Sequence, residues 1–420
     1  MKALSAVWRF LNEPRAGLFP RPERRDDADA TASRDQRGIA LLVVLLAITV
    51  ITAVVVQFSL DAHVDYGLAQ NEADEVRAYY LARSGINFYK LILDADQKLG
   101  SNPQLSQFLQ SQGIPAISLW KLVPEIDTAI LRSVSSPDIP DDQKEEISKQ
   151  FGGVAFDTLT KSDGFLDFEG DLHVEIADEE SKLNLNKIAD ERINGPLDSS
   201  VGRALYAMSA DAKFDPIFDG QNAYGERKVP REDVIANIID WVDPNQQGIK
   251  SGGAEDSLYA EYDPQYKAKN GPFDSLAEVQ MVRGIDDDWM QAFGDKITVF
   301  SDGKVNVNTC SQEMLAALLL AGSDVALQPE VAMEEAGKIV KFRELAPFAQ
   351  PQNFVDFVKQ NFSITLQPAT GVNPFVNRID VQSKVFTLRS TGYAGNARVT
   401  ITAVVDNTGT SLRWLYWRVN

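Results

Sequence analysis

Arg37-Gly38, followed by Ile39 to Leu60, IALLVVLLAITVITAVVVQFSL, decides how this 420-residue chain is read. These twenty-two residues carry no charge, and a helix of that length crosses a hydrocarbon core of about 30 Å. Thr49, Thr52, Gln57 and Ser59 are its polar members, which disfavours a buried helix of a soluble domain. Arg34 and Arg37 precede it; Asp61, His63 and Asp65 follow. Basic flanks stay on the cytoplasmic side, so the N-terminus is expected inside and the 360 residues after Leu60 outside.

The helical pattern continues past the membrane. DAHVDYGLAQNEADEVRAYYLARSGINFYKLIL has no proline before Gly100-Ser101-Asn102-Pro103. Val64, Leu68, Val76, Tyr79, Tyr80, Ala82, Ile86, Tyr89 and Leu93 recur near helical spacing, which predicts an amphipathic helix packed on something. From Ile39 to Leu99 it would be roughly 90 Å long at 1.5 Å per residue. A basic leader ending in Gly, an apolar helix and an amphipathic extension resemble the N-terminus of type IV pilins and type II secretion pseudopilins. The resemblance implies cleavage after Gly38 by a prepilin peptidase and methylation of the new N-terminus, Ile39.

Two features depart from that pattern. The leader is thirty-eight residues, so translation is expected to start downstream or PRPERRDDADATASRDQRG to be disordered. The fifth mature position, where most of the family carries Glu, is Val43. A carboxylate in hydrocarbon costs a few kcal/mol without a partner. A subunit with no neighbour above it gains nothing by keeping one, and within the family the apolar residue marks the K-type minor pseudopilin.

Composition narrows the function classes. The leader holds eight basic and six acidic residues, net +2, so the remainder carries −21 against −19 for the whole chain. That balance opposes nucleic-acid binding, which needs a basic footprint, and allows cation binding. A lone cysteine, Cys310, excludes an intramolecular disulfide. Two histidines, His63 and His173, are too few for a His-rich metal site.

Further along, LSQFLQS and DDQKEEISKQF read as short helices around the loop SVSSPDIPDD. Leu166, Phe168, Leu172, Val174 and Ile176 then alternate around Gly170, which predicts a hairpin or two paired strands, with His173 exposed on the polar side. Ser181-Lys182-Leu183-Asn184-Leu185-Asn186 is echoed by Gly303-Lys304-Val305-Asn306-Val307-Asn308 and Thr309. Each echo reads as a strand end leading into a helix, with Asn or Thr as N-cap. The mostly helical stretch between them, Lys187 to Ile297, is expected to be an insertion whose ends are neighbouring strands of one sheet. Within it, REDVIANIIDWVDPNQQG is an amphipathic helix carrying Val234, Ile235, Ile238, Ile239 and Val242. Val279-x-x-Val282-x-Gly284-Ile285 is reminiscent of DNA-gripping helix-hairpin-helix modules, but Asp286, Asp287 and Asp288 stand where phosphate would approach. TCSQEMLAALLLAG, VAMEEAGKIVKFRELAPF and PQNFVDFVKQNF read as helices. Phe386 and Leu388, then Val399, Ile401 and Ala403, predict a hairpin around Gly392 and Gly395. Alternation at Leu412, Trp414 and Tyr416 predicts a last strand.

DEESKLNLN, ANIIDWVDPNQQ, GGAEDSLYAEYDPQYKAKNGPFDSLAEVQMVRGI, KVNVNTCSQEMLAALL and FTLRSTGYAGNARVTITAVV, in this order behind a pilin-like helix, resemble the K-type minor pseudopilin of type II secretion. The resemblance implies an α+β fold: a pilin-like long N-terminal helix on an antiparallel sheet, with a large inserted α-helical domain. The implied division is a leader 1–38, a transmembrane half 39–60, a periplasmic half 61–99, a pilin-like domain 100–187 and 298–420, and an insertion 188–297. It also implies an inner-membrane, single-pass, non-enzymatic subunit that joins I-type and J-type minor pseudopilins at the tip of a periplasmic pseudopilus.

The densest set of hard oxygen donors is Asp240, Asp243, Asn245, Glu255, Asp256 and Asp263, around a Gly-rich loop. Asp243-x-Asn245-x-Gln247-Gly248 imitates the start of an EF-hand loop, but the twelfth position is Ala254 and Glu255 falls one late. The plain alternative is a solvated acidic loop in which Asp243 stops the helix. The family resemblance implies calcium in the inserted domain, outside any EF-hand. Two other functions are weighed: a membrane-anchored periplasmic hydrolase, for which no Gly-x-Ser-x-Gly or zinc-ligand spacing occurs, and an anchored DNA-uptake receptor built on the hairpin at Gly284.

Overall fold

The computed structural model describes residues 33–100, 118–129, 131, 168–189, 193–221, 227–250, 252–366, 374–409 and 411–420. The two short helices expected at LSQFLQS and DDQKEEISKQF, the leader up to residue 32 and Leu166 lie outside them. The chain divides into two units, 1–70 and 71–420.

In the first unit the fold is helix α1, Ser33–Gly100, whose remaining turns belong to the second unit. Side chains from Ile39 to Leu60 are all exposed, Phe58 at 74% and Leu42 at 68%. By length and composition this helix can cross a membrane. Two of its polar residues are locally satisfied: the Thr49 hydroxyl donates to the Leu46 carbonyl at 2.8 Å and the Gln57 amide to Asp61 at 2.9 Å.

In the second unit α1 turns one stripe inward. Ala78, Ala82, Ile86, Tyr89 and Leu93, spaced by three or four residues, are completely buried, while Val76 and Tyr80 stay exposed. The stripe lies on a five-stranded antiparallel sheet. Its strands are β1 Glu125–Asp127, β2 Asp171–Asp178, β7 Val385–Ala394, β8 Ala397–Asp406 and β9 Arg413–Val419. Inward alternation of Leu172, Val174 and Ile176 on β2, and of Ile401, Ala403 and Val405 on β8, builds the core under the helix. Small residues permit the close approach. A Cβ on Gly392 would sit 2.0 Å from the Ala78 carbonyl oxygen, and one on Gly85 2.2 Å from Val174.

Three expectations are corrected here. Among the described residues the alternation around Gly170 makes one strand, β2, which pairs with β1 and β7; Phe168 and Gly170 (φ +114°) precede it. On β9, Trp414 and Tyr416 do not share a face. Val404 pairs with Tyr416 and Val405 with Trp414, so Leu415 is an extra residue that shifts the alternation. The third concerns the insertion. Asp178 lies opposite Phe386, so the chain leaves the sheet after β2 and re-enters it on the adjacent strand. Everything between, not 188–297 alone, is the insertion.

That inserted segment has its own core, from Leu183 to Ile379, and is built twice. Strand β3 (Leu183–Asn184) pairs in parallel with β4 (Ile297–Thr298) after helices α2 (Ser200–Met208), α3 (Arg231–Val242) and α4 (Asp287–Phe293). Strand β5 (Val305–Asn306) pairs in parallel with β6 (Ile379–Asp380) after α5 (Gln312–Gly322), α6 (Pro329–Leu345) and α7 (Pro351–Phe362). Each Asn motif therefore opens its own repeat. The ends of 187–297 do meet, in a two-stranded sheet separate from the main one.

The asparagines act as braces. The Asn186 amide donates to the carbonyls of Phe273 and Val299 and accepts from Phe273 N–H. Asn308 repeats this with Phe348 and Val381. The N-cap expected of Thr309 falls to Ser311, which accepts from Met314 N–H; Thr309 donates to Asp178 instead. Gly284 takes φ +94° between a 3-10 turn (Leu276–Met281) and α4, whose first turn is capped by Asp286 accepting from Trp289 N–H at 2.9 Å.

Candidate metal centre

Helix α3 buries Val234, Ile235, Ile238, Ile239 and Val242. That register also carries Asp240 inward at its last turn, and Asp243 ends the helix as its C-cap before Pro244. The following loop folds back on itself. Asp243 accepts from Asn245 N–H at 3.0 Å, Asn245 from Gln247 N–H at 2.7 Å, and Gly248 N–H donates to the Gly253 carbonyl at 2.9 Å. A bridge between Gln247 and Ala254 then delivers Glu255 to the two aspartates.

Asp240, Asp243 and Glu255 each place a carboxylate oxygen within 4.8 Å of the others, and all three are buried, at 5%, 8% and 2% exposure. Asp240 accepts from Ile249 N–H at 2.8 Å. Both Glu255 oxygens are buried with no hydrogen-bond partner. Burial pushes the Glu255 carboxyl up to about 7, Asp240, Asp243 and Asp256 adding to it and the nearby Asn270 amide acting against it. Burial raises Asp240 to about 6, opposed by the Ile249 N–H, and raises Asp243 as well. Three converging carboxylates, one unpartnered, are costly to bury unless a cation or proton compensates. As an all-oxygen donor set in a Gly-containing loop they fit a hard divalent cation such as calcium. Asp240, Asp243 and Glu255 would hold it.

The three remaining expected ligands have other engagements or positions. Asp256 pairs with Lys267 at 2.8 Å, the Asn245 side chain is engaged in its own turn, and Asp263 is exposed on the loop beyond. Sequence spacing could not separate these, because the Gln247–Ala254 bridge, not the order of residues, decides which carboxylates converge.

Elsewhere, Gly38 and Ile39 lie within α1 and Val43 is exposed on it. His173 is partly exposed on β2 and reaches Glu175 at 3.1 Å. Cys310 is fully buried, and burial pushes its thiol up to about 11 despite the neighbouring Arg343. At the root of the insertion lies a group that the reading of the sequence missed: Asp178, Glu179 and Glu180, all buried. Asp178 accepts from Thr309 and Ser383, Glu179 from Lys182 and Thr387, and Glu180 from Lys384 N–H. The available signal was three consecutive acids directly after an alternating strand.

An apolar helix long enough to cross a membrane, a sheet packed on its outer turns and an inserted helical segment with a carboxylate cleft fit a pilin-like fold. More particularly, the resemblance to the K-type minor pseudopilin of type II secretion is borne out. The family described as Type II secretion system (T2SS), protein K, matches residues 181–302, bounds that enclose the first repeat. Type II secretion system protein K of Pseudomonas aeruginosa is 25% identical over 195 residues, 46% of this chain and 51% of the relative. That of Klebsiella pneumoniae is 26% identical over 176 residues, 42% and 49%. The chain thus matches about half the length of these curated relatives. A chain in the crystal structure of the GspK-GspI-GspJ complex of enterotoxigenic Escherichia coli has a TM-score of 0.40 at 18% identity, covering 60% of this chain and 80% of that one.

Proposed function

We propose that this chain is a non-enzymatic minor pseudopilin that caps the tip of a type II secretion pseudopilus and helps to start its assembly. The observation that carries this is the protein K match over residues 181–302, joined in one chain to an exposed apolar helix with Val43 at its fifth mature position. On this reading residues 39–60 hold the chain in the inner membrane, and the sheet and insertion stand in the periplasm. Its partners are the I-type and J-type minor pseudopilins, in keeping with the complex that names the solved relative. Co-expression with its own I-type and J-type neighbours tests this: a stoichiometric complex is expected, and failure of either to co-purify with the full chain in detergent refutes it. A prepilin peptidase would cut after Gly38, with Ile39 methylated. Gly38→Leu should leave an unprocessed precursor, and a mature terminus other than Ile39 by mass spectrometry would overturn this step.

We also propose that Asp240, Asp243 and Glu255 bind calcium structurally. The buried, unpartnered Glu255 carboxylate supports it. A cation there would fasten the loop 243–255 to α3.

A further inference from the structure

We infer that the outer edge of β9 is a docking site for an extended segment of another protein, one with carboxylates on one face and apolar side chains on the other. The inference is independent of the tip assignment.

Among the described residues no strand lies beyond β9 in the sheet. Thr400 and Asn420 exchange both of their backbone hydrogen bonds, at 3.0 and 2.9 Å. Bonded and non-bonded pairs alternate along an antiparallel ladder. Arg418, opposite Thr402, therefore bonds inward to β8, and Trp417 and Val419, opposite Ala403 and Ile401, turn their N–H and C=O groups outward. At the other edge β1 has only three residues, a length that resists pairing. The β9 edge has seven and carries aromatics.

The two faces of β9 differ in chemistry. Ile401, Ala403 and Val405 face the core, so their partners Val419, Trp417 and Trp414 lie on that face. Two tryptophans three residues apart would normally point to opposite sides. The bulge at Leu415 puts them together, edge to face at 5.3 Å. Trp414 and Trp417 remain 39% exposed and Val419 46%. The opposite face carries arginines toward this edge, with Glu175 continuing their row on β2 and Tyr416 packed against Phe300, ring centroids 5.7 Å apart. Arg389, Thr402 and Arg418 stand in one row across three strands, with exposed Arg398 stacked over Tyr393 on the same face.

A strand added beside β9 would pair with the outward groups of Trp417 and Val419. It would place apolar side chains against the tryptophans and extend the Arg389–Thr402–Arg418 row with a carboxylate. Main-chain pairing supplies affinity in this mode and the alternating side chains supply selectivity.

The test uses the full chain in detergent and a fluorescent, end-capped octapeptide of alternating glutamate and valine, read by polarisation. Saturable binding is expected, about tenfold tighter than for the lysine-valine counterpart. Val419→Pro removes only an outward N–H, so the β8 ladder stays intact; it should weaken binding about tenfold with an unchanged melting temperature. Arg418→Glu should shift preference to the lysine peptide, and Trp417→Ala should weaken both. Equal affinity for the two peptides, or undiminished binding to Val419→Pro, overturns the proposal. So does a dimer that Val419→Pro disperses, since the edge would then serve a second copy of this chain.

Discussion

Glu180 is buried at 3% exposure where the insertion joins the sheet, and one of its oxygens accepts from Lys384 N–H at 2.5 Å. Burial, with the charges of Asp302 and Asp178 adding to it, pushes its carboxyl from 4.5 up to about 8 against the pull of Lys384. Between those values the folded state holds a proton that the unfolded state has lost, so stability falls as pH rises from 4.5 to 8. Glu180→Gln keeps the acceptor and removes the titration. Its melting temperature should match the parent near pH 5 and exceed it at pH 8, by about 2–4 °C for each kcal/mol recovered. An unchanged pH slope in the variant would place the effect elsewhere. The same reasoning at Glu255 predicts a crossover. Without calcium, Glu255→Gln relieves a carboxylate facing Asp240, Asp243 and Asp256 and should stabilise the protein. With calcium at a hundredfold excess over Kd, the parent should gain about 2.7 kcal/mol and the variant far less. Melting curves with calcium and with chelator decide it: parallel shifts in both proteins would mean an acidic cluster without a cation.

At the scale of elements, the tightest constraint is the crossing of α1 over β7. An alanine at Gly392 would drive its Cβ into the Ala78 carbonyl and the Ala82 amide, at 2.0 and 2.7 Å. Two backbones cannot yield as side chains do, so Gly392→Ala should cost about 2–3 kcal/mol, read as a lowered denaturant midpoint. Asn308→Ala strips three hydrogen bonds from the second repeat and should cost a similar amount, about 2–4 kcal/mol. These elements differ in how plainly the sequence announced them. The span 39–60, the inward stripe from Ala82 to Leu93, helix α3 and the β7–β8 hairpin follow from local periodicity, which the structure keeps. The echo at Asn184 and Asn306 was visible but misassigned. Its pairing depends on partners more than seventy residues away, Ile297 for Leu183 and Ile379 for Val305. The β9 bulge was hidden for a related reason: alternation looks regular until the partner strand shows where one residue is skipped. At the carboxylate cleft, six donors were read from composition and three converge, because a loop bridge selects them.

On the proposed reading of the chain as a minor pseudopilin, bulk and charge argue for one position in the filament. Beyond α1 the chain has 320 residues, and the excursion from Asp178 to Val385 adds a second core to the one under the helix. Pseudopili pack subunits by their N-terminal helices, and a head enlarged in this way would collide with a subunit placed above it. Val43 agrees, since a carboxylate there is stabilised only by the terminal amine of a neighbour. One copy per filament is therefore expected, above a helical set of minor pseudopilins. The two causes can be separated. Val43→Glu supplies the missing carboxylate but leaves the enlarged head, so it should remain at the tip. A variant that carries Glu at position 43 and joins Asp178 to Val385 by a short linker removes both barriers and should enter the shaft. Gold labelling of isolated filaments reads both outcomes. Labels repeated along the shaft for the parent chain would refute the tip position, whereas labels spread only in the shortened variant would identify the inserted segment as the element that confines this subunit to the end.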